Sequence, residues 1–346
     1  MRSGPDHAAV TRLTTEALES WLAAVEADPL SPTYRWALTP PGKLLRPALL
    51  LWSAGAVGGS TDVVLPAAVG VELVHVGSLV HDDIIDADAV RRGKPSVPRE
   101  FGTERAVLAG DALFFALFET LTDCQRSGAS ADAVVTAVRL FARAGRQLTS
   151  GVARELAFDP GSLTQASDDT LVADYLETAR LKTAALLRVA CQAGAVLGGG
   201  SGAEAAVLAE YGEALGIAFQ IRDDLLPYLA VGRGAGKSAD SDLRNGRPCL
   251  PVLLAHAMGG PAGRARLARI LESDAPPAQR TDWLRDLVAE TGALKEAHRM
   301  VEEQAHRCHE ALRGLTPSPD RQRLTRLLVR VTDLAEPWAR PVKEQR

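Results

Sequence analysis

Apolar residues recur at every third or fourth position along most of the chain. This period predicts helices over 8–27, 44–57, 63–87, 104–124, 131–157, 168–198, 203–226, 248–257, 264–273, 279–291, 293–314 and 319–335. The breaks between them are rich in Gly and Pro: TPPGK near residue 41, RRGKPSVP near 93, GGGSG near 200, VGRGAGK near 234 and GGPAG near 261. Long helices with short connections predict an all-α fold, a single-domain bundle.

Polar residues interrupt the pattern in two places. In VELVHVGSLVHDDIID, residues 71–86, an advance of about 100° per residue puts Glu72, His75, Asp82, Asp83 and Asp86 on one narrow arc, with Leu79 its apolar exception. Such a stripe on an otherwise apolar helix lines a wet cavity; the alternative is the solvated face of a surface helix. In EYGEALGIAFQIRDDLL, Glu213, Gly216, Gln220 and Asp223 repeat the device, with Asp224 beside them and Gly216 allowing a neighbour close.

Carboxylates in apolar surroundings are costly unless a cation neutralises them. Asp82 and Asp86, one turn apart, offer the hard oxygen ligands that magnesium takes, and magnesium favours diphosphate oxygens. A basic, Gly-containing loop follows each Asp pair: ADAVRRGKPSV with Arg91, Arg92 and Lys94, and GRGAGKSADSDLRNGRPCLP with Lys237, Arg244 and Arg247. Lys43 and Arg46 in PPGKLLRP, and Lys182 beside Thr183 in TARLKTAALL, add to the set. Arginine forks suit phosphate oxygens, although a basic residue taken singly is most often a solvated surface charge. The pattern as a whole points to a polyanion held through metal.

Composition narrows the class. The 346 residues are 46% hydrophobic but only 5% aromatic, which suits packed helices and disfavours a β-rich fold. A net charge of −4 gives no overall basic field for nucleic acid, so phosphate must be met by local clusters or metal. Cys124, Cys191, Cys249 and Cys308 lie far apart without a CxxC pair, as expected of reduced thiols. The start, MRSGPDHAAVTRL, has no apolar signal core, and no uninterrupted apolar run is long enough to span a bilayer. A soluble, cytoplasmic protein is expected, with one domain over 1–346 and a tail at 1–7.

Six segments, in order, make the chain resemble the trans-isoprenyl diphosphate synthases of the polyprenyl synthetase family. They are GKLLRP at 42–47, ELVHVGSLVHDDIIDADAVRRGKPSV at 72–97, FGTERAVLAGDAL at 101–113, LKTAALL at 181–187, FQIRDD at 219–224 and GKSADSDLRNGRPCLP at 236–251. The resemblance implies an isoprenoid-synthase fold, with the two Asp-rich helices opposed across the mouth of a deep central cavity, and a homodimer. It also implies head-to-tail condensation of isopentenyl diphosphate with an allylic diphosphate, releasing pyrophosphate. By that resemblance Asp82 and Asp86 would ligate two magnesium ions and Asp223 a third. Lys43, Arg46, His75 and Arg92 would hold isopentenyl diphosphate, and Arg91, Lys182, Thr183, Gln220 and Lys237 would surround the allylic diphosphate. The released pyrophosphate is the implied proton acceptor, so no side-chain base is assigned. The competing reading of His75 is a satisfied core histidine.

Two positions depart from the family pattern. Residue 44 is Leu where a basic residue is usual, and Pro227 stands where the second motif ordinarily ends in Asp. Inside a helix Pro227 lacks an N–H for the Asp223 carbonyl and clashes with that turn, at a cost of about 3 kcal/mol. The helix is therefore expected to end or kink near Leu226, with Asp242 supplying part of the lost charge to a weaker third metal site. The departures leave two other readings: a terpene cyclase or irregular prenyl-coupling enzyme on the same scaffold, and a silent partner subunit, which would be expected to lose acids that this chain keeps. In the family, the residues four and five before the first motif floor the cavity. Here they are Ser78 and Gly77, small enough to let a chain pass the farnesyl stage. Geranylgeranyl diphosphate is the expected product, ahead of farnesyl or a longer one. The depth is then left to Val74 and to Phe114, Phe115 and Phe118, whose alternative role is core packing.

Overall fold

The computed structural model describes residues 5–158, 168–229 and 249–333. Of the described residues, 82% are helical and almost none are in strands, and the chain groups into two compact units. The first comprises Met1–Gly145, Leu186–Gly212 and Ala311–Thr325, and the second Arg146–Ala185, Glu213–Glu310 and Arg326–Arg346.

In the first unit Asp6 caps α1 (His7–Ala24), accepting from the Ala9 N–H at 2.8 Å. Trp52 Nε1 donates to the Pro5 carbonyl at 2.8 Å, so residues 5–7 belong to the folded chain rather than to the expected tail. α2 (Ser31–Leu38) was not predicted; its buried positions are Ser31, Thr33, Tyr34 and Leu38, and the two polar ones break the apolar period. α3 (Leu45–Ala56) and α4 (Thr61–Ile85) follow, then an unpredicted hairpin of β1 (Val90–Arg91) and β2 (Lys94–Pro95). The short α5 (Val97–Phe101), also unpredicted, leads into α6 (Thr103–Arg126) and α7 (Ala131–Leu156).

α4 packs along α6 with glycines setting the separation. A Cβ on Gly70 would fall 2.2 Å from Thr120 Oγ1, and one on Gly77 would fall 3.0 Å from the Gly110 carbonyl. Leu18, Leu22, Leu44, Leu73, Val76 and Leu113 fill the core around them. Among the described residues α4 is the one helix long and apolar enough to cross a membrane, and 67% of its apolar stretch is buried inside the fold.

The second unit begins within α7 and continues through α8 (Asp168–Ala179). The helix expected over 168–198 is interrupted by a π-helical turn, Arg180–Ala184, before α9 (Ala185–Leu197). Two glycines admit this wider turn: a Cβ on Gly151 would lie 2.4 Å from the Lys182 nitrogen, and one on Gly216 would lie 2.5 Å from Ala184 Cα. α10 (Gly202–Leu229) carries the second Asp pair. It does not end near Leu226 as expected: Pro227 lies inside it and is buried, and packing of Leu225 and Tyr228 carries the last turn past the missing hydrogen bond. The Pro227 carbonyl accepts from Arg285 Nη2 at 3.3 Å. α11 (Leu250–Met258), α12 (Gly260–Leu271), α13 (Pro277–Glu290), α14 (Ala293–Arg313) and α15 (Pro319–Thr332) are the remaining helices among the described residues, and Ile221, Leu225, Leu253, Leu284, Val288 and Val301 form much of this unit's core.

Candidate active site

The first acidic motif sits at a helix terminus. Asp86 is the C-cap of α4, Ala87 takes a left-handed φ of 51°, and the Asp88 N–H returns to the Asp83 carbonyl at 3.0 Å while that of Ala87 reaches Ile84. This is a Schellman closure with Ala where Gly is usual. It places Asp82 and Asp86 at the negative end of the helix dipole, where carboxylates are disfavoured unless a cation joins them. Asp83 turns away from that end. It is 2% exposed, and its Oδ1 accepts from Arg91 Nε at 2.8 Å and Nη2 at 2.5 Å. Burial pushes the Asp83 carboxyl up while Arg91 opposes the shift. For Arg91, burial works against the charged form, but the hydrogen bond and charge of Asp83 outweigh it.

Arg91 reaches Asp83 because the hairpin turns tightly. Arg92 and Gly93 take φ of 51° and 79°, the signature of a two-residue type I′ turn, between the pairs Val90↔Pro95 and Arg91↔Lys94. Lys94 ties the hairpin down: its ammonium lies 4.4 Å from the Trp36 ring centroid and donates to the carbonyls of Trp36 and Thr39. Arg92 donates from Nη1 to the Pro40 carbonyl at 2.9 Å, and its guanidinium lies within reach of a Cβ on Gly42.

Arg46, Glu72, His75 and Arg92 form one charged group in this unit. Burial lowers the Arg46 guanidinium to about 10, with Glu72 opposing, and Arg46 Nε is buried with no hydrogen-bond partner among the described residues. Burial raises the Glu72 carboxyl against the pull of Arg46 and Arg92. Burial, joined by Arg46, Arg92 and Arg91, holds the His75 imidazole well below its ordinary 6.5. A buried, incompletely bonded guanidinium beside a neutral imidazole is an environment short of negative charge. Lys43, just before α3, is exposed. Leu44 adopts φ of 50° and is 2% exposed, its side chain packed into the core around Leu18, Leu22 and Leu73.

In the second unit Asp223 and Asp224 also diverge. Asp223 keeps 46% of its side chain exposed. Asp224 points inward: its Oδ2 accepts from the Tyr175 hydroxyl at 2.7 Å and the Leu250 N–H at 3.1 Å, and its Oδ1 from Gln220 Nε2 at 2.9 Å. Burial pushes this carboxyl up to about 6 although those three donors favour its charge. Gln220 Oε1 in turn accepts from Thr183 Oγ1 at 2.6 Å, and Lys182 Nζ pairs with Glu155 at 2.5 Å. Lys182 and Thr183 both belong to the π-helical turn, a local insertion often found at functional sites.

The sequence profile of the polyprenyl synthetase family matches residues 28–288. The chain belongs to the polyprenyl synthetase family. It is 33% identical over 321 residues to the short chain isoprenyl diphosphate synthase of Methanothermobacter thermautotrophicus, covering 91% of this chain and 93% of that one. The structure of the geranylgeranyl pyrophosphate synthetase from Pyrococcus horikoshii superposes with a TM-score of 0.82 at 29% identity, covering 93% of this chain and 95% of that one. A polyprenyl synthase from Caulobacter crescentus, solved with calcium and isoprenyl diphosphate, superposes at 0.77 with 30% identity, covering 96% and 98%. The protein is thus an all-α prenyltransferase of the trans-isoprenyl diphosphate synthase class, one that elongates prenyl chains. Its relatives' products range from farnesyl through geranylgeranyl and geranylfarnesyl to octaprenyl diphosphate.

Within this synthase the first unit gathers Arg46, His75 and Arg92 into one group and stands Asp82 and Asp86 at the end of the helix that carries His75. The second gathers Thr183 with Gln220, and carries Lys182 on the same turn and Asp223 on the same helix as these. Lys237 lies outside the described residues, as do Asp242, Arg244 and Arg247. Two expectations change. Gly77 faces α6 closely, 3.3 Å from a ring atom of Phe114 for an added Cβ, so it lines no open channel. Phe115 and Phe118 are 69% and 41% exposed, their rings 6.5 Å apart, and are not core residues. Glu155 and Tyr175 were not anticipated; a Tyr within the apolar face that ends at Lys182 was the available signal for the second.

Among the described residues no cluster of three or more His, Cys, Asp or Glu side chains forms a metal cage. Asp82 and Asp86 nevertheless fit a hard cation that draws its remaining ligands from water and a diphosphate, as magnesium does.

Proposed function

We propose that the protein is a magnesium-dependent geranylgeranyl diphosphate synthase, a cytoplasmic homodimer that adds isopentenyl diphosphate to an allylic primer. The observation that carries the reading is the placement within the first motif: Asp83 is buried against Arg91, and Asp82 and Asp86 stand at the negative end of α4. Asp82, Asp86 and Asp223 would hold the magnesium, which when bound neutralises the departing diphosphate. Lys43, Arg46, His75 and Arg92 would bind isopentenyl diphosphate, and the buried Arg46 Nε, unbonded among the described residues, suits a phosphate oxygen. Arg91, Lys182, Thr183, Gln220 and Lys237 would hold the allylic diphosphate, Lys182 exchanging Glu155 for it. The allylic C–O bond breaks with its electron pair leaving on pyrophosphate, the isopentenyl double bond attacks the allylic carbon, and pyrophosphate takes the proton then lost.

Ser78 supports the product. It is 9% exposed, its hydroxyl donates to the His75 carbonyl, and it lies one turn before Asp82 on the same face, leaving no bulk there to stop a farnesyl chain. Exposed Val107, Leu108, Phe115 and Phe118 on α6 give an apolar stripe suited to a second copy. The test is to incubate the purified protein with labelled isopentenyl diphosphate, magnesium and, in turn, dimethylallyl, geranyl and farnesyl diphosphate, and to resolve the products by length. Twenty-carbon product from all three primers supports the reading, and no elongation from any overturns it.

A further inference from the structure

An ionised carboxylate accepts hydrogen bonds and cannot donate them. Asp224 Oδ1 therefore fixes which way the Gln220 amide points: Nε2 toward Asp224 and Oε1 toward Thr183. Because Oε1 only accepts, the Thr183 hydroxyl must spend its proton on Gln220 at 2.6 Å. Polarity thus runs from Thr183 through Gln220 to Asp224, and from the other side Tyr175 and the Leu250 N–H, at the first turn of α11, pin the second carboxylate oxygen.

We propose that Asp224, fixed by Tyr175, is a positioning residue that sets the polarity of the Thr183 contact with the allylic diphosphate: acting through Gln220, it commits the Thr183 hydroxyl as an acceptor. This rests on the reading above that Thr183 contacts the allylic diphosphate. A threonine so held meets a water or ammonium donor well and a phosphate oxygen poorly.

Asp224→Asn tests the assignment because it changes one atom. Its amide oxygen still serves Tyr175 and Leu250, but its NH2 faces Gln220, which must turn over and present its own NH2 to Thr183. The Thr183 proton is then released to the ligand. The expected result is a fall of about 3–10-fold in KM for the allylic diphosphate, the worth of one hydrogen bond, with KM for isopentenyl diphosphate unchanged. A simple loss of negative charge would also tighten the allylic diphosphate, so the substitution is repeated in a Thr183→Val background, where no hydroxyl exists to be released. There Asp224→Asn should move the allylic KM by less than about twofold, as a coupled pair requires. Thermal unfolding is followed for each variant. If Asp224→Asn does not fold, Tyr175→Phe, which keeps the carboxylate but frees it to swing, should move the allylic KM the same way, lowering it by about two- to threefold, while leaving that for isopentenyl diphosphate alone.

Equal shifts in both backgrounds, equal shifts for both substrates, or an unchanged allylic KM would overturn the positioning role. Wild-type protein that elongates no primer would overturn the functional reading instead, and the two failures are separable because wild type is assayed first.

Discussion

At residues 82–83 the inner carboxylate is neutralised by a full charge, Arg91, within 2.5 Å; at 223–224 the inner carboxylate is met by three neutral donors, a phenol, an amide and a backbone N–H. The outer member of each pair faces the wetter side, and the two pairs read alike in sequence. The difference lies in what each inner acid controls. Asp83 fixes a cation and through it the whole type I′ hairpin, so its role is to place charge. Asp224 has no cationic partner among the described residues, its carboxyl is pushed up to about 6, and it passes direction along a chain of hydrogen bonds to Thr183.

The sharpest test of the outer acids is activity. Asp82→Ala or Asp86→Ala should each lower turnover by about 100-fold or more, as loss of a metal ligand does at least as severely as loss of a ligand's supporting partner. Thermal unfolding without ligand should barely move; near-normal turnover would remove these acids from the metal site.

Stability separates the inner acids. Arg91→Ala leaves Asp83 buried without its charge partner and should cost about 3 kcal/mol, the low end for such losses because Arg91 keeps 35% of its side-chain surface exposed. Tyr175→Phe removes one of three neutral donors and should cost about 1 kcal/mol. Chemical denaturation of both variants measures this, and a reversed order would break the contrast between charge and neutral bonding.

Acid should pull the two regions in opposite directions. His75 is held below its ordinary 6.5, so the unfolded chain binds the proton first and stability falls as pH drops through that value. Asp224 is raised from its ordinary 3.8 to about 6, so over that window the folded chain binds the proton first and stability rises as pH drops. His75→Gln should therefore flatten the loss of stability toward acid, and Asp224→Asn should steepen it. Denaturation midpoints between about pH 4 and 7 decide this, and parallel curves would show that neither group is linked to folding.

The smallest effect on rate belongs to Ser78→Phe, which should shift the product from twenty carbons toward fifteen with turnover within about threefold, while Asp224 variants leave product length unchanged. Gly77→Phe, by contrast, drives a ring into the Gly110 carbonyl and should cost about 1–3 kcal/mol of stability. Product chromatography and melting curves together separate the two neighbours.

Much of this was legible in the amino-acid order. The long helices announce themselves because each keeps an apolar face for several turns, and Asp82, Asp86 and Asp223 stand out as carboxylates in apolar company. α2 was hidden because Ser31 and Thr33 occupy buried positions, and the hairpin because its left-handed turn begins at an arginine. Pro227 read as a helix end; burial of Leu225 and Tyr228 on either side outweighed it. The opposite fates of adjacent aspartates were illegible for a different reason: Tyr175 and Leu250, the partners that decide the matter for Asp224, lie far from it along the chain.

The π-helical turn has a consequence at the level of insertions and deletions. A π turn accommodates about one residue more than the same length of α-helix, and each residue rotates a helix by about 100°. Deleting one residue within Arg180–Ala184 would let the ladder close as ordinary helix while leaving α8 and α9 each intact as helices. Lys182 and Thr183 could then no longer both keep their bearings on Glu155 and Gln220. A one-codon deletion that is nearly silent for helix content would thus uncouple two contacts at once, making this stretch far less tolerant of length change than of substitution.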